Sequence, residues 1–282
     1  MTSTSVSSSP PVGWNAALVR RRRGPLGLST RAWVALAQIG LFFGIVAIWE
    51  LLTLAQLLNP FFIGQPSAIF RIMVRRIADG SLIQAAQVTI VETLLGFTIG
   101  MIVGTTLGLC LWWSAVVSRI FEPIAIMLNA IPKIALAPIF FVWFGLGLPM
   151  KVSLSVSACI FVALLTAYSG TKQVDRDLLD LGRAMGATKS QLFWKIVLPT
   201  SLPWIISGMD ISIGFALVGA VVGEFLASNQ GLGYLALWGA SIFDMSVVWA
   251  AVLTLLLLSI VMYVGVRWLE DRLMPWRPNQ RA

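Results

Sequence analysis

Six continuous apolar runs dominate this 282-residue chain, near residues 33–55, 88–113, 120–145, 150–169, 204–227 and 246–267. A helix of about 20 residues matches the ~30 Å hydrocarbon core of a bilayer. Lipid offers the backbone no hydrogen-bond partner, so a spanning segment is a helix or a strand of a closed barrel. Barrel strands alternate apolar and polar residues over about 10 positions. These runs are unbroken, which predicts helices. Composition agrees: 11% of residues are charged, against about 25% in a soluble domain. The fold class expected is all-α, a polytopic membrane protein with six transmembrane helices.

The chain has no histidine. That excludes His-based acid–base catalysis, Ser-His-Asp triads and His-ligated metal. Cys110 and Cys159 both sit inside apolar runs and read as small buried hydrophobes. No catalytic residue, metal site or cofactor of its own is expected. An isoelectric point near 10.2 would suit nucleic acid. The positive charge gathers at span ends, however, so lipid is the expected partner and nucleic acid is not. Residues 1–28, Ser/Thr-rich with Arg20–Arg23, are expected to form a disordered basic cytoplasmic tail. Residues 29–275 form the membrane domain and 276–282 a short C-terminal tail.

Charge asymmetry orients the chain. With both termini inside, fifteen Lys/Arg face the cytoplasm and four, Arg71, Arg75, Arg76 and Lys151, face out. The positive-inside rule selects this topology, with both termini cytoplasmic. In the first outer loop, Pro66-Ser67 reads as a helix start. Ile69, Ile72, Met73 and Ile77 recur at helical spacing beside the three arginines, which predicts an amphipathic helix at the outer interface.

The second span carries Gly96, Gly100, Gly104 and Gly108, and the fifth repeats the spacing at Gly219 and Gly223. Such stripes let helices approach closely, within one chain or between subunits. Pro123, Pro132 and Pro138 predict a kinked or broken third span, which marks it as a candidate pathway helix. Charges in or beside spans are costly and face protein or water. Glu50, Glu92 and Glu122 are read as solvated at span ends. Lys133, beside Pro132, either pairs with an acid or presents charge to an anionic substrate. Asp210 and Glu224 are fourteen residues apart on one face of span five, about 21 Å along the axis, too far to form one ion site. Lys133, Pro132, Trp143, Asp210 and Glu224 are the pathway candidates.

One structured polar stretch interrupts the oily sequence between spans four and five, within residues 172–200. Asp175 can cap a helix whose Leu178, Leu181 and Met185 share a face. Gly186 suits the left-handed position that ends it. Thr188 and Gln191 fit a capping box for a second helix, with Leu192, Phe193, Ile196 and Val197 as its apolar face and Pro199 after its end. The expectation is a helical hairpin offered to a partner in water.

Asp180-Leu-Gly-Arg-Ala-Met-Gly186, then nine residues, then Ile196-Val-Leu198-Pro199, resembles the EAA loop of ABC importer permeases. Asp180 stands where that family has Glu, and Leu181 and Gly182 replace its two alanines. Ile131–Pro138, Trp143–Gly145, Gly219–Glu224 and Gly231–Tyr234 resemble the branch serving nitrate, sulfonates, taurine and a thiamine pyrimidine precursor. The resemblance implies a type I ABC importer permease fold. It implies a pore of two permease subunits, identical or different, two cytoplasmic ATPase subunits that bind ATP and grip the loop, and an outer solute-binding protein. Asp180, Gly182, Arg183, Gly186, Ala187, Ile196, Leu198 and Pro199 would form the ATPase-coupling element. No P-loop occurs in this chain, so ATP energy would come from another one. The competing expectations are a secondary transporter driven by an ion gradient, a membrane enzyme, and an inert scaffold, the last leaving the proline-broken span unexplained.

Overall fold

The structure, a computed structural model, describes residues 30–273. The tails expected at 1–28 and 276–282 lie outside these residues, with the charges at Arg20–Arg23, Arg277 and Arg281. Contacts divide the chain at Leu57. Among the described residues, the first unit holds the helix α1, Thr30–Leu54.

The second unit begins with α2 (Pro60–Ile63) and α3 (Pro66–Ala78), followed by α4 (Ser81–Cys110). Then come α5 (Ala115–Ala130), α6 (Ala137–Phe144), α7 (Leu148–Lys172), α8 (Arg176–Ala184) and α9 (Lys189–Leu192). The chain closes with α10 (Leu198–Ala227), α11 (Leu232–Ser241) and α12 (Met245–Leu273). Among the described residues, five helices are long and apolar enough to cross a membrane, or six if α5 and α6, bent against each other, count as one span. The second span starts at Ser81, seven residues earlier than expected, because α4 runs past the apolar stretch into Gln84 and Gln87.

The core is a three-helix layer with α7 in the middle. On one side a Cβ at Gly96 would strike the Ser155 side chain, at Gly100 the Cys159 Sγ, and at Gly104 and Gly108 the carbonyls of Ile160 and Leu164. On the other side a Cβ at Gly219 would lie 2.6 Å from Ser155 Cα and one at Gly223 2.9 Å from Lys151 Cα. Both glycine stripes therefore pack against α7 within one chain. Missing side chains are what let the backbones meet. Hydroxyls then tie the layers, as where Ser155 Oγ donates to the Ala216 carbonyl at 2.8 Å.

The third span breaks at Pro132 and restarts at Pro138, while Pro123 stays inside an unbroken α5. Ile131 and Pro132 are extended, a short 3-10 turn covers Lys133–Leu136, and α5 and α6 meet at 92°. Proline bars the preceding residue from helical backbone, so Pro132 stops α5. Pro138 starts α6, where its missing N–H costs nothing.

Candidate functional site

The polar stretch folds into a hairpin whose local signals are all used. Asp175 accepts from the Asp177 N–H at 2.9 Å. At the other end of α8, Gly186 (φ +78°) donates to Arg183 and Ala187 donates to Gly182, both at 2.9 Å. This is a Schellman closure, and it explains a glycine at 186. The capping box of Thr188 and Gln191 is complete. Asp180 accepts from Arg183 at 2.6 Å, one turn along the exposed surface.

The two arms differ. In the second, Leu192, Phe193 and Val197 are buried and Ile196 half-buried, packed on Val174, Leu109 and Trp112. In α8 no residue is buried, and Leu178, Leu181 and Met185 stay exposed at 49%, 58% and 79%. A solvent-facing apolar stripe on a charged helix marks an interaction surface. Gly182 sits where the arms cross, and a Cβ there would meet Leu192 Cδ2 at 2.5 Å. The atom it would meet is the end of a side chain and not backbone, so the crossing excludes a bulky residue more than it excludes alanine.

Pro199 does not follow the end of the second arm. Phe193–Val197 form a π-turn and the chain runs directly into α10, with Pro199 in its first turn. A helical proline ring presses on the carbonyl four residues before it, and a widened turn gives Lys195 that room. Lys189–Ala227 is thus one helical rod of 39 residues. At ~1.5 Å per residue it is nearly twice as long as a bilayer core is thick, so the hairpin stands out of the membrane.

Lys189 clamps the start of the second arm, just after the turn. Its Nζ donates to the Trp113 carbonyl at 2.5 Å and lies over the rings of Trp112 and Trp113. Nearby, the end of α7 is tied to the middle of α5 by Lys172 and Glu122, 2.6 Å apart. Glu122 was expected to be simply solvated; it is partly exposed and paired.

The pathway candidates lie in three places. At the break, Lys133 Nζ donates to the carbonyls of Leu128, Asn129 and Ile131 at 3.1, 2.8 and 3.0 Å. The acidic partner weighed for it is replaced by backbone, because a stopped helix leaves its last carbonyls without donors. Pro132 and Trp143 are exposed. Beside them an apolar cavity of 440 Å³ is lined by Ile134, Pro138, Phe141, Met150 and Leu226. Asp210 lines a second cavity, 340 Å³, with Ser259 and Tyr263.

Glu224 is wholly buried at the far end of α10. It accepts from Thr89 Oγ1 at 2.6 Å and from the Gly233 N–H at 2.5 Å. Two expectations are corrected here. Glu92 is not solvated: it is 1% exposed and ion-paired with Lys151. Lys151 is not a loop charge: it is buried in the first turn of α7 and also donates to Ser228 Oγ at 3.1 Å. Removing it from the outer set leaves three arginines there. Sequence reasoning missed Thr89 and Ser228, since an isolated hydroxyl in an apolar run carries no signal of its own.

A bundle of spans around a central α7, one span broken at prolines, and a polar helical hairpin whose second arm runs on into another span define a membrane transport protein of the type I importer permease class. The chain belongs to the family of binding-protein-dependent transport system inner membrane components, which it matches over residues 96–275. It is 32% identical to the formylaminopyrimidine transport permease protein ThiX of Halalkalibacterium halodurans, across 89% of this chain and 99% of that protein. It is 26% identical to the taurine transport system permease protein TauC of Escherichia coli, across 86% and 92%. Among solved structures it resembles the inward-facing MetNI methionine ABC transporter, with a TM-score of 0.59 and 21% identity over 69% of this chain and 94% of that one. The chain is a permease component of an ABC importer, a membrane subunit and not itself an enzyme.

Proposed function

We propose that two copies of this chain form a pore that two cytoplasmic ATPase subunits drive through the α8–α9 hairpin, importing a small polar solute delivered by an outer binding protein. The exposed stripe of Leu178, Leu181 and Met185 carries this reading. Its helix is charged, uncovered, and joined to α10 through an unbroken rod. Closure of the ATPases would push on α8, Gly182 and Leu192 would pass the push to the second arm, and the π-turn at 193–197 would deliver it to α10. Asp180, Arg183, Gly186, Ala187, Ile196, Leu198 and Pro199 shape that lever. Movement of α10 against α7 would open the cavity between α6, α7 and α10 in turn to each side.

The exposed apolar side chains of α5 and α6, among them Phe121, Met127, Phe141 and Trp143, suit a second copy or lipid. The cytoplasmic charge excess supports both termini inside. The substrate falls in the class of small nitrogen heterocycles or sulfonates, supported by relatives named for formylaminopyrimidine and taurine. Lys133 is satisfied by carbonyls, which favours a neutral heterocycle over an anion. A reconstituted complex with its ATPase and binding protein tests the lever. Leu181→Glu should abolish solute-stimulated ATP hydrolysis and uptake while the chain still inserts. Normal uptake by that variant, or uptake by the chain alone, would overturn the proposal.

A further inference from the structure

At the end of the bundle opposite the hairpin, four elements meet at one sealed point. Glu92 comes from α4, Lys151 from the first turn of α7, Glu224 from the last turn of α10, and the Gly233 N–H from the start of α11. Exposure of the three charged residues is 1%, 6% and 0%. Among the described residues, the charged groups acting on the two carboxyls are each other and Lys151.

The donors there fall one short. One Glu92 oxygen takes Lys151. The two Glu224 oxygens take Thr89 Oγ1 and the Gly233 N–H. Thr89 Oγ1 in turn accepts from the Leu232 N–H at 2.9 Å, so its one proton is committed to Glu224. Glu92 Oε2 is enclosed with no donor, and Glu224, held by Thr89 one turn before Glu92 on α4, is its neighbouring carboxyl. The charge falls one short as well: two carboxylates and one ammonium leave a net negative charge where burial penalises it most. A trapped water would supply a donor but no charge. A proton between the two carboxyls supplies both. Like charges on neighbouring buried carboxyls resolve in the same way in carboxylate dyads.

We infer that the Glu92–Lys151–Glu224 cluster is a proton-binding site, holding one proton shared between the two carboxyl groups. The proton comes from bulk water and no other bond breaks. With it bound, α4 and α10 attract through the acid pair and α11 is pinned beneath Glu224. Without it the same two helices repel. The site thus holds this end of the bundle as one block.

Infrared spectroscopy of the purified full-length chain in nanodiscs tests this. A protonated carboxyl gives a C=O stretch that shifts in deuterated water. Glu92→Gln and Glu224→Gln each leave one carboxylate facing Lys151, a neutral set that needs no proton. Either single variant should therefore remove as much of the band as the double variant removes. A double variant with the wild-type band would overturn the assignment. So would single variants that each remove only their own portion, since the acids would then be protonated independently. Should Glu224→Gln fail to fold, Glu92→Gln alone still decides, because retention of the whole band contradicts sharing.

Discussion

Lys189 Nζ meets the carbonyl of Trp113 at 2.5 Å, seventy-six residues away in sequence. This joins the start of the hairpin's second arm to the 3-10 turn that closes α4, so a force on the hairpin would reach α4 as well as α10. Lys189→Met keeps the stem length and removes the charge. It should cost about 1 kcal/mol locally, since the bond is charge-assisted but exposed. Hydrogen exchange across 189–197 should rise, and transport per ATP hydrolysed should fall. Unchanged exchange would show that the clamp carries no load.

Gly100 faces Cys159 Sγ, whereas Gly104 faces a backbone carbonyl. Gly100→Ala should destabilise by about 1–3 kcal/mol through overpacking. Adding Cys159→Ala should restore most of the loss, leaving the Val156 carbonyl at 3.3 Å as the remaining tight contact. Gly104→Ala should have no such rescue at Ala163, because the Ile160 carbonyl stays in place. Thermal midpoints of the detergent-solubilised variants would check the contrast.

Lys151→Met strands two buried carboxyls without their cation. A broken buried pair costs about 3–5 kcal/mol, enough to deplete the protein from membranes. Glu92→Gln in the same chain should recover a good part of it. Lack of any recovery would mean that Lys151 acts mainly through Ser228.

Gly182→Ala should be close to neutral. The new methyl meets only the mobile end of Leu192, and alanine favours helix over glycine by about 1 kcal/mol. Gly182→Leu would force the arms apart and should uncouple ATP hydrolysis from uptake.

The hydroxyl and N–H of Ser81 hold the Asp79 carboxyl below its ordinary value, helped by Arg76 and Arg75. A carboxyl lowered in the folded state stabilises above the unfolded range and loses this as pH falls through the folded value. Acidification should therefore speed exchange of the amides at the start of α4, and Asp79→Asn should flatten that response.

The spans, the break at Pro132, and the caps at Asp175, Gly186 and Thr188 were legible because each rests on local chemistry. Hydropathy, proline sterics and a left-handed glycine need only their near neighbours. The continuation through Pro199 was not legible. A proline after an amphipathic turn looks like a stop, and only the π-turn shows that the backbone has room to go on. Lys151 likewise reads as a loop charge until α4 is placed beside it.

Residue order alone is enough to dictate an all-helical membrane chain, its hairpin, and the glycines that demand close neighbours, since hydrophobic length and backbone sterics act within a few residues. Which helix those glycines meet, which carboxyls become neighbours, and which arm of the hairpin stays bare were settled by packing. Burial and electrostatic pairing depend on groups such as Glu92 and Glu224, which the chain brings together only once α4, α7 and α10 are side by side.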